Sequence, residues 1–364
     1  MTKIAVGMSG GVDSSVAAAL LIERGFEVSG LTLKLCTGIC APTSDAKDAA
    51  NVCSQLGINH FTHDFSEDFR STVVKSFVSD YFDGKTPNPC IECNKHIKFG
   101  AMLSLAKDEL GCDKIATGHY AQIKKENGRF LLYRASDRAK DQSYVLYGLT
   151  QSQLAATEFP LGTLSKSQIR EIARELSLKI AERPDSQDIC FVPDGDYAAF
   201  IEGYASKTSP KGNFIGEDGK ILGEHQGIIR YTVGQRKGLG IALGSPAYVL
   251  SKDPKFNTVT LSTDENRLFY KRVEIESINL IAADSITDGT RVEGKLRYRH
   301  GAQPARLFNT QNGRMIIEFD KPQRAPASGQ AAVFYDGDTV IGGGTIVKGV
   351  DWYDRKYKKN INST

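Results

Sequence analysis

No run of about twenty apolar residues occurs in this 364-residue chain, so a helical membrane span is not expected. Charge of one sign is also scarce: the formal net charge is only +3, too small to announce a nucleic-acid partner by itself. Internal repeats and low-complexity tracts are absent, which sets aside repeat arrays and extended linkers. Met1-Thr2-Lys3 leads straight into the apolar Ile4-Ala5-Val6, so no secretion signal is expected and the cytoplasm is the expected location. Without such a signal, the seven cysteines read as thiols, metal ligands or catalysts rather than a disulfide framework. The hydrophobic content of 40% and charged content of 24% suit a soluble globular protein, and the length allows two or three domains.

What is present begins with Gly7-Met8-Ser9-Gly10-Gly11-Val12-Asp13-Ser14-Ser15, set between an apolar run and an apolar-periodic stretch from Val16 to Ile22. This order predicts a buried strand, a glycine-rich turn and a helix. Gly10 and Gly11 allow close backbone approach, and the hydroxyls and N–H groups at the helix start suit an anion with several oxygens. No Lys-Ser or Lys-Thr follows the second glycine, so this is not a Walker A loop, nor is it G-x-G-x-x-G. The string S-G-G-x-D-S resembles the PP-loop of the ATP pyrophosphatase superfamily, whose members cleave ATP to AMP and pyrophosphate while adenylating a substrate. An ordinary strand–turn–helix corner is the plain alternative.

Up to about residue 198, strands alternate with helices: Ile4–Val6, Glu27–Leu33, His60–His63 and Asp113–Thr117 read as strands, and Ala46–Leu56 as a helix. The expected class is therefore α/β, with a parallel sheet that binds ligand at the carboxyl ends of its strands. Both the Ser9–Ser15 turn and Gly118-His119 fall at such ends. Lys207–Gly223 reads as turns and short hairpins, and Gly227–Gly240, with four glycines among basic and aromatic residues, as a mobile loop. From about Lys271 the chain is strand and turn only, with strands expected at Val273–Ile278, Arg291–Tyr298, Met315–Phe319, Ala331–Tyr335 and Thr339–Ile341. This spacing suggests a small barrel or sandwich. The expected domains are 1–198, a small central 199–272, and a C-terminal β-barrel at 273–364. Arg291–Arg306 carries five Lys or Arg against one Glu, suited to phosphate contacts or to a solvated strand face. The Arg230–Lys237 segment is basic and aromatic together.

Pro87-Asn88-Pro89-Cys90-Ile91-Glu92-Cys93 places a C-x-x-C after two stiffening prolines. Ile97–Leu110 looks helical, which would set Cys93 near a helix N-terminus and lower its thiol pKa. No second C-x-x-C or H-x₃-H stands at zinc-finger spacing. Cys190 ends the polar loop Arg183-Pro184-Asp185-Ser186-Gln187-Asp188-Ile189 and reads, taken alone, as a small core residue. Cys53 and Cys112 read as packing residues, and Cys36 and Cys40 as a C-x-x-x-C pair without a visible partner.

Seven blocks in order are similar to the tRNA-specific 2-thiouridylase family along nearly the whole chain: the PP-loop, TPNPC-x-x-CN-x-x-IKFG, ATGHYA, KDQSYVLYGL, RPDSQDICF, YTVGQRKGLGI and AVFYDGD-x-VIGGG. The resemblance implies a PP-loop domain of adenine nucleotide alpha hydrolase type, a small central domain and a C-terminal barrel. It implies replacement of the carbon-2 oxygen of a wobble uridine by sulfur, in a tRNA held by its anticodon stem-loop. It further implies that Gly7, Met8, Ser9, Gly10, Gly11, Val12, Asp13 and Ser14 hold ATP, with Leu33 and Gly118 beside the adenosine. Cys190 would carry a persulfide and Cys93 would be the second active thiol, the two closing a disulfide after transfer. Asn88, Pro89, Cys90, Lys140, Asp141 and Gln142 match positions at the target base and tRNA, and His119, Arg297, Tyr298 and Gln330 match further tRNA contacts. Mg²⁺ would accompany ATP, with Asp13 as its holder or as the orienter of pyrophosphate; capping the following helix is the plain alternative. Sulfur would come from a cysteine desulfurase or a relay of carriers.

One residue departs from that pattern: many members have Asp where Cys90 stands. Three thiols, Cys90, Cys93 and Cys190, would suit a 4Fe–4S cluster with one iron open to hydrosulfide, so cluster and persulfide chemistry both stand as expectations. Two other readings remain: a PP-loop ligase or amidating enzyme, which has no need of these thiols, and a redox- or iron-responsive RNA-binding protein with a vestigial nucleotide site.

Overall fold

The computed structural model describes residues 1–35, 46–178, 180–181, 189–192 and 194–350. Cys36, Cys40 and the whole of the Arg183–Asp188 loop lie outside the described residues. The chain divides into two compact units, Met1–Ser76 with Pro89–Asp196 and Asp338–Gly342, and Phe77–Asn88 with Tyr197–Gly337 and Gly343–Thr364.

In the first unit, β1 (Lys3–Gly7), β2 (Glu27–Lys34), β3 (Asn59–Asp64) and β4 (Lys114–Ala116) lie in one parallel sheet. A hairpin, β5 (Ala121–Glu126) and β6 (Arg129–Arg134), lies outside this sheet and pairs through Tyr133 with Thr339, and the short β7 (Thr157–Glu158) completes the sheet in the order β3-β2-β1-β4-β7. The expected strands are all found; the hairpin was not expected, because its six-residue strands carry Lys and Arg among the apolar residues. Ile4, Ala5 and Val6 are wholly buried, as central parallel strands covered on both faces require. The helix Val12–Glu23 buries Val16, Ala17 and Leu21 against them, and the helix Lys166–Glu175 adds Ile169 and Ala173 to the same core. Cys53 packs in that core beside Gly30, where any Cβ would collide with its sulfur. Cys112 is buried too, so both have the packing role read from the sequence.

Strand order reverses about β1, with β2 on one side and β4 on the other. The crevice outside their carboxyl ends is where open α/β sheets bind ligands. The loops that follow β1 and β4 are therefore placed by topology before any side chain is considered.

The second unit holds a four-stranded sheet, β8 (Gly212–Ile215), β9 (Ile221–His225), β10 (Tyr248–Asp253) and β11 (Thr258–Ser262), in the order β10-β11-β8-β9. The Gly227–Gly240 segment beside it is packed rather than loose: Ile228, Ile229, Tyr231 and Leu239 are buried. The Tyr231 ring stands edge-on to Phe214 at 5.1 Å, and Gly234 N–H donates to Val249 O at 2.8 Å. Apolar anchors spaced between the glycines outweigh the flexibility that the glycines suggested.

The last six strands are β12 (Phe269–Leu280), β13 (Thr290–Lys295), β14 (Gln303–Asn309), β15 (Met315–Arg324), β16 (Ala331–Asp336) and β17 (Thr339–Val350). They run in the order β12-β15-β14-β13-β16-β17, and β12 also pairs with β17, which closes a barrel. The sequence reading missed β14. Its Ala305 and Leu307 face inward while Arg306 faces out, opposite Glu318 of β15, so part of the basic cluster is a solvated strand face.

Candidate active site

The turn after β1 is built from its own short side chains. Gly10 has φ +73°, in the left-handed region that favours glycine, and Gly11 is the extended N-cap of the Val12–Glu23 helix. Ser14 Oγ receives the Ser9 N–H at 3.2 Å and itself donates to Gly11 O at 3.1 Å. Ser15 Oγ donates to the same carbonyl at 2.9 Å. These bonds hold the turn open with the helix N–H groups beyond it, the arrangement an anion site needs.

Gly118, after β4, closes on this turn. A Cβ there would lie 2.8 Å from both the Asp13 carbonyl carbon and the Ser14 nitrogen, a separation no side chain tolerates. Two sequence-predicted elements, separated by about a hundred residues, are thus brought into contact. Leu33 is buried near the end of β2, and Met8 and Val12 are buried beneath the loop.

Asp13 does not serve as a helix cap in this arrangement; among the described residues the N-cap has no side-chain hydrogen bond. Its Oδ1 accepts Lys166 Nζ at 2.7 Å and Tyr120 Oη at 2.8 Å. Lys166 is largely buried, with 13% of its side chain exposed. Neither Lys166 nor Tyr120 was singled out from the sequence, because nothing local marks a lysine 153 positions away as the partner of a loop carboxylate.

The thiols lie on a helical segment that starts earlier than expected. A short helix, Pro89–Glu92, runs into a wide π-type stretch, Cys93–Ala101, and then into Met102–Asp108. Cys93 is therefore inside the helical run, beyond its first turn. π-type turns leave carbonyls poorly paired, and here Gln153 Nε2 donates to Lys95 O at 3.1 Å and Phe99 O at 2.8 Å. Lys98 follows Cys93 by five residues within this stretch, the spacing of one π-type hydrogen-bonded turn.

Burial, not the helix dipole, sets the thiol chemistry. It pushes Cys93 up to about 12, against the opposing charge of Lys98, with Cys190 and Cys90 pushing the same way. Cys190 is pushed to about 11 by burial and then by Cys90, and Cys90 also rises through burial, both again opposed by Lys98. Cys90 and Cys190 retain exposed surface, but not enough to offset the crowding around them. The expected lowering of the Cys93 pKa is thus reversed, since desolvation of a thiolate outweighs a partial dipole charge. Lys98, Cys190 and Cys90 all act electrostatically on Cys93. Among the described residues, however, no group of three or more His, Cys, Asp or Glu side chains is disposed to hold a metal ion.

The Cys93 segment adjoins the glycine-rich turn. A Cβ on Gly7 would stand 3.2 Å from Met102 Cε, and the Phe99 ring lies 5.8 Å from that of His119, next to Gly118. His119 is buried, bonded at 2.7 Å to Thr117 Oγ1 and packed against Phe159; burial first, and Lys98 second, holds its pKa well below the ordinary value. It is a neutral wall between turn and thiols. Asn94, beside Cys93 and also missed, is 2% exposed, donates to Val145 O at 3.0 Å, and has no hydrogen-bond partner for its Oδ1 among the described residues.

Several side chains matched to RNA contacts are engaged in internal structure. Asp141 is buried and accepts Ala135 N–H at 3.0 Å, Ser143 N–H at 3.2 Å and Ser143 Oγ at 2.9 Å. Gln142 Oε1 accepts Tyr120 N–H at 2.9 Å, and Lys140 of the same turn is half-buried. Pro89 is buried and Asn88 half-buried ahead of Cys90. In the second unit, Arg297 donates to Val233 O at 3.2 Å and Ala325 O at 2.9 Å, and Gln330 Nε2 to Thr86 O at 2.6 Å. Tyr298 is exposed.

Known proteins are similar to this chain along most of its length. Residues 2–194 match the family described as "tRNA methyl transferase HUP domain", 198–263 the "tRNA methyl transferase PRC-barrel domain", and 270–346 the "Aminomethyltransferase beta-barrel domain". A "tRNA-specific 2-thiouridylase MnmA" of Lachnoclostridium phytofermentans is 46% identical, covering 96% of this chain and 100% of its own length. Relatives of the same description from Clostridium tetani (47% identical, 94% of this chain and 96% of the relative) and Treponema denticola (46%, 94% and 97%) are similar over as much of their length. With a serine- and glycine-built anion turn, a neighbouring helical segment that carries the buried Cys93, and likeness end to end, the chain belongs to the tRNA-specific 2-thiouridylase family.

Proposed function

We propose that this protein is an ATP-dependent tRNA sulfurtransferase that replaces the carbon-2 oxygen of a wobble uridine with sulfur. In this reading residues 1–198 do the chemistry, while 199–272 and 273–364 hold the anticodon stem-loop. The observation that carries it is contiguity: the Gly7–Ser15 turn touches Gly118, and through His119, Phe99 and Met102 it adjoins the segment bearing Cys93. An activating nucleotide and a sulfur carrier are both needed at one carbonyl, and this packing brings their sites together.

Gly7–Ser14 hold the triphosphate, with Leu33 and Gly118 on the adenosine side. The uridine O2 attacks the α-phosphate, pyrophosphate leaves, and the poor oxygen leaving group becomes AMP. The terminal sulfur of a Cys190 persulfide then attacks carbon 2 and AMP departs. Cys93 attacks the Cys190 sulfur, leaving the transferred sulfur on the base and a Cys93–Cys190 disulfide that an external dithiol must reduce. Raised thiol pKa values keep both cysteines protonated at neutral pH until sulfur is loaded, and a persulfide ionises more readily than its parent thiol. Mg²⁺, carried in on the phosphates, would neutralise their charge; Asp13 is the loop carboxylate that fits such a hard cation, shared with Lys166. Cys90 and Cys190 act electrostatically on Cys93 but, as they stand, the three thiols do not form a metal-holding group, so no step runs through a 4Fe–4S cluster.

The test is thiolation of unmodified tRNA by anaerobically purified protein, with nucleosides analysed by mass spectrometry and AMP, iron and sulfide measured together. Activity without iron, lost on Cys93→Ser or Cys190→Ser and kept by Cys90→Ala, is the expected result. Activity that requires iron and Cys90 would replace the persulfide scheme with a cluster.

A further inference from the structure

The Asp13 carboxylate sits where two hydrogen-bonded paths from one turn meet. That turn, Asp137–Gln142, contains the three residues matched to the RNA. On one path, Gln142 and Tyr120 form a double rung: Tyr120 N–H donates to Gln142 Oε1 at 2.9 Å, and Gln142 N–H to Tyr120 O at 2.9 Å. Tyr120 Oη then donates to Asp13 Oδ1 at 2.8 Å. On the other path, Lys140 N–H donates to Asp137 O at 3.1 Å, and Asp137 Oδ2 accepts the Lys166 backbone N–H at 3.1 Å. Lys166 Nζ completes the path to the same Asp13 oxygen at 2.7 Å, with its charge 5.9 Å from the centre of the Tyr120 ring.

The turn between these ends is stiff. Asp137 Oδ1 is occupied by Ala139 N–H at 3.1 Å, and buried Asp141 ties Ala135 to Ser143. A rigid turn transmits a displacement of Lys140 to its neighbours rather than absorbing it. Asp13 itself is fixed from behind, because its backbone lies against Gly118 with no room for a methyl group. What can respond is the carboxylate and the two donors that hold it.

We propose that Tyr120 and Lys166 are positioning residues that couple RNA engagement at the Asp137–Gln142 turn to the Asp13 carboxylate, so that ATP cleavage follows RNA binding. RNA drawn to Lys140 settles this turn, and the two donors then present the carboxylate in its productive orientation at the nucleotide loop. Without RNA the donors hold it less well placed, which limits futile ATP consumption. The inference rests on the adenylation reading above.

The experiment measures AMP formation with and without unmodified tRNA, together with AMP made per thiouridine, for the whole protein. Tyr120→Phe removes only the hydroxyl. Asp137→Asn leaves one acceptor oxygen for two N–H donors. Each is expected to lower the ratio of RNA-stimulated to RNA-free AMP formation about tenfold, the size of effect expected from losing a hydrogen bond to a charged group. AMP per thiouridine should rise above the wild-type value, while tRNA affinity stays within about twofold. Asp137→Asn, on the other path, keeps the test open if Tyr120→Phe does not fold. A merely structural role would lower both rates together, leaving the ratio unchanged, and that result overturns the proposal. Wild-type protein that thiolates tRNA but forms AMP equally fast with and without RNA overturns the coupling alone; wild-type protein that thiolates without forming AMP overturns the adenylation reading itself.

Discussion

The nucleotide turn and the thiol segment are built on opposite principles. In the turn, polar groups are arranged for charge: hydroxyls hold the backbone open, helix N–H groups face outward, and Asp13 is met by a buried lysine. Around Cys93 the surroundings oppose charge, with burial raising all three thiols and neutral His119 forming a wall. One region is ready for an anion at any moment, whereas the other suppresses an anion until chemistry supplies a better one. A sulfur-transfer site benefits from that difference, because a permanently ionised thiol would be open to oxidation and alkylation.

The largest effect should come from removing the thiol proposed to end the reaction. Cys93→Ser is expected to reduce thiouridine formation on the order of a thousandfold, as for loss of a catalytic nucleophile. If the two regions act in sequence, AMP formation should persist in this variant, and its loss there would show that they are not separable.

Next is the junction between the regions. Gly118→Ala places a methyl carbon 2.8 Å from the Asp13 and Ser14 backbone. The PP-loop must shift, at a cost of about 1–3 kcal/mol. The ATP KM should rise roughly tenfold or more, with a lower melting temperature; an unchanged KM would detach Gly118 from the nucleotide site.

The thiol region can be tested through pH. Cys93 is raised from 9.0 to about 12 in the folded state. Its contribution to stability is complete below pH 9, where both states are protonated. It is lost above that, as the unfolded thiol ionises and the folded one does not, at about 1.4 kcal/mol per pH unit. Replacing Cys93 by Ser should flatten the fall of stability between pH 9 and 12 relative to the parent protein. An equally steep fall in the variant would mean that Cys93 is not buried as described.

The smallest contrast lies within the barrel, between adjacent residues. Arg297→Ala removes two donors to backbone carbonyls and should lower stability by about 1–3 kcal/mol in chemical denaturation. Tyr298, which is 39% exposed, should alter stability by less than about 0.5 kcal/mol when replaced by Ala. If Tyr298→Ala weakens tRNA binding while Arg297→Ala acts mainly on folding, the first is a contact and the second a support.

Much of this molecule is written locally. The Gly10-Gly11 turn between Ile4-Ala5-Val6 and a helical stretch, the parallel α/β order and the Cys90/Cys93 pair need only neighbouring residues to be recognised. β14 was hidden because its outward face is charged, and Gly227–Gly240 was misread because spaced apolar anchors, not the glycines, decide its packing. The RNA-facing assignments of Asp141 and Arg297 met side chains already engaged in internal hydrogen bonds.

Chain order alone determined the anion turn, the sheet that displays it and the thiols available for sulfur, because backbone conformation and periodicity act over a few residues. Only the tertiary structure decided that Asp13 is held by Lys166 and Tyr120, that Gly118 must be bare, and that the thiols are raised rather than lowered. Those outcomes depend on desolvation and on partners more than a hundred residues away, and neither leaves a trace in local spacing.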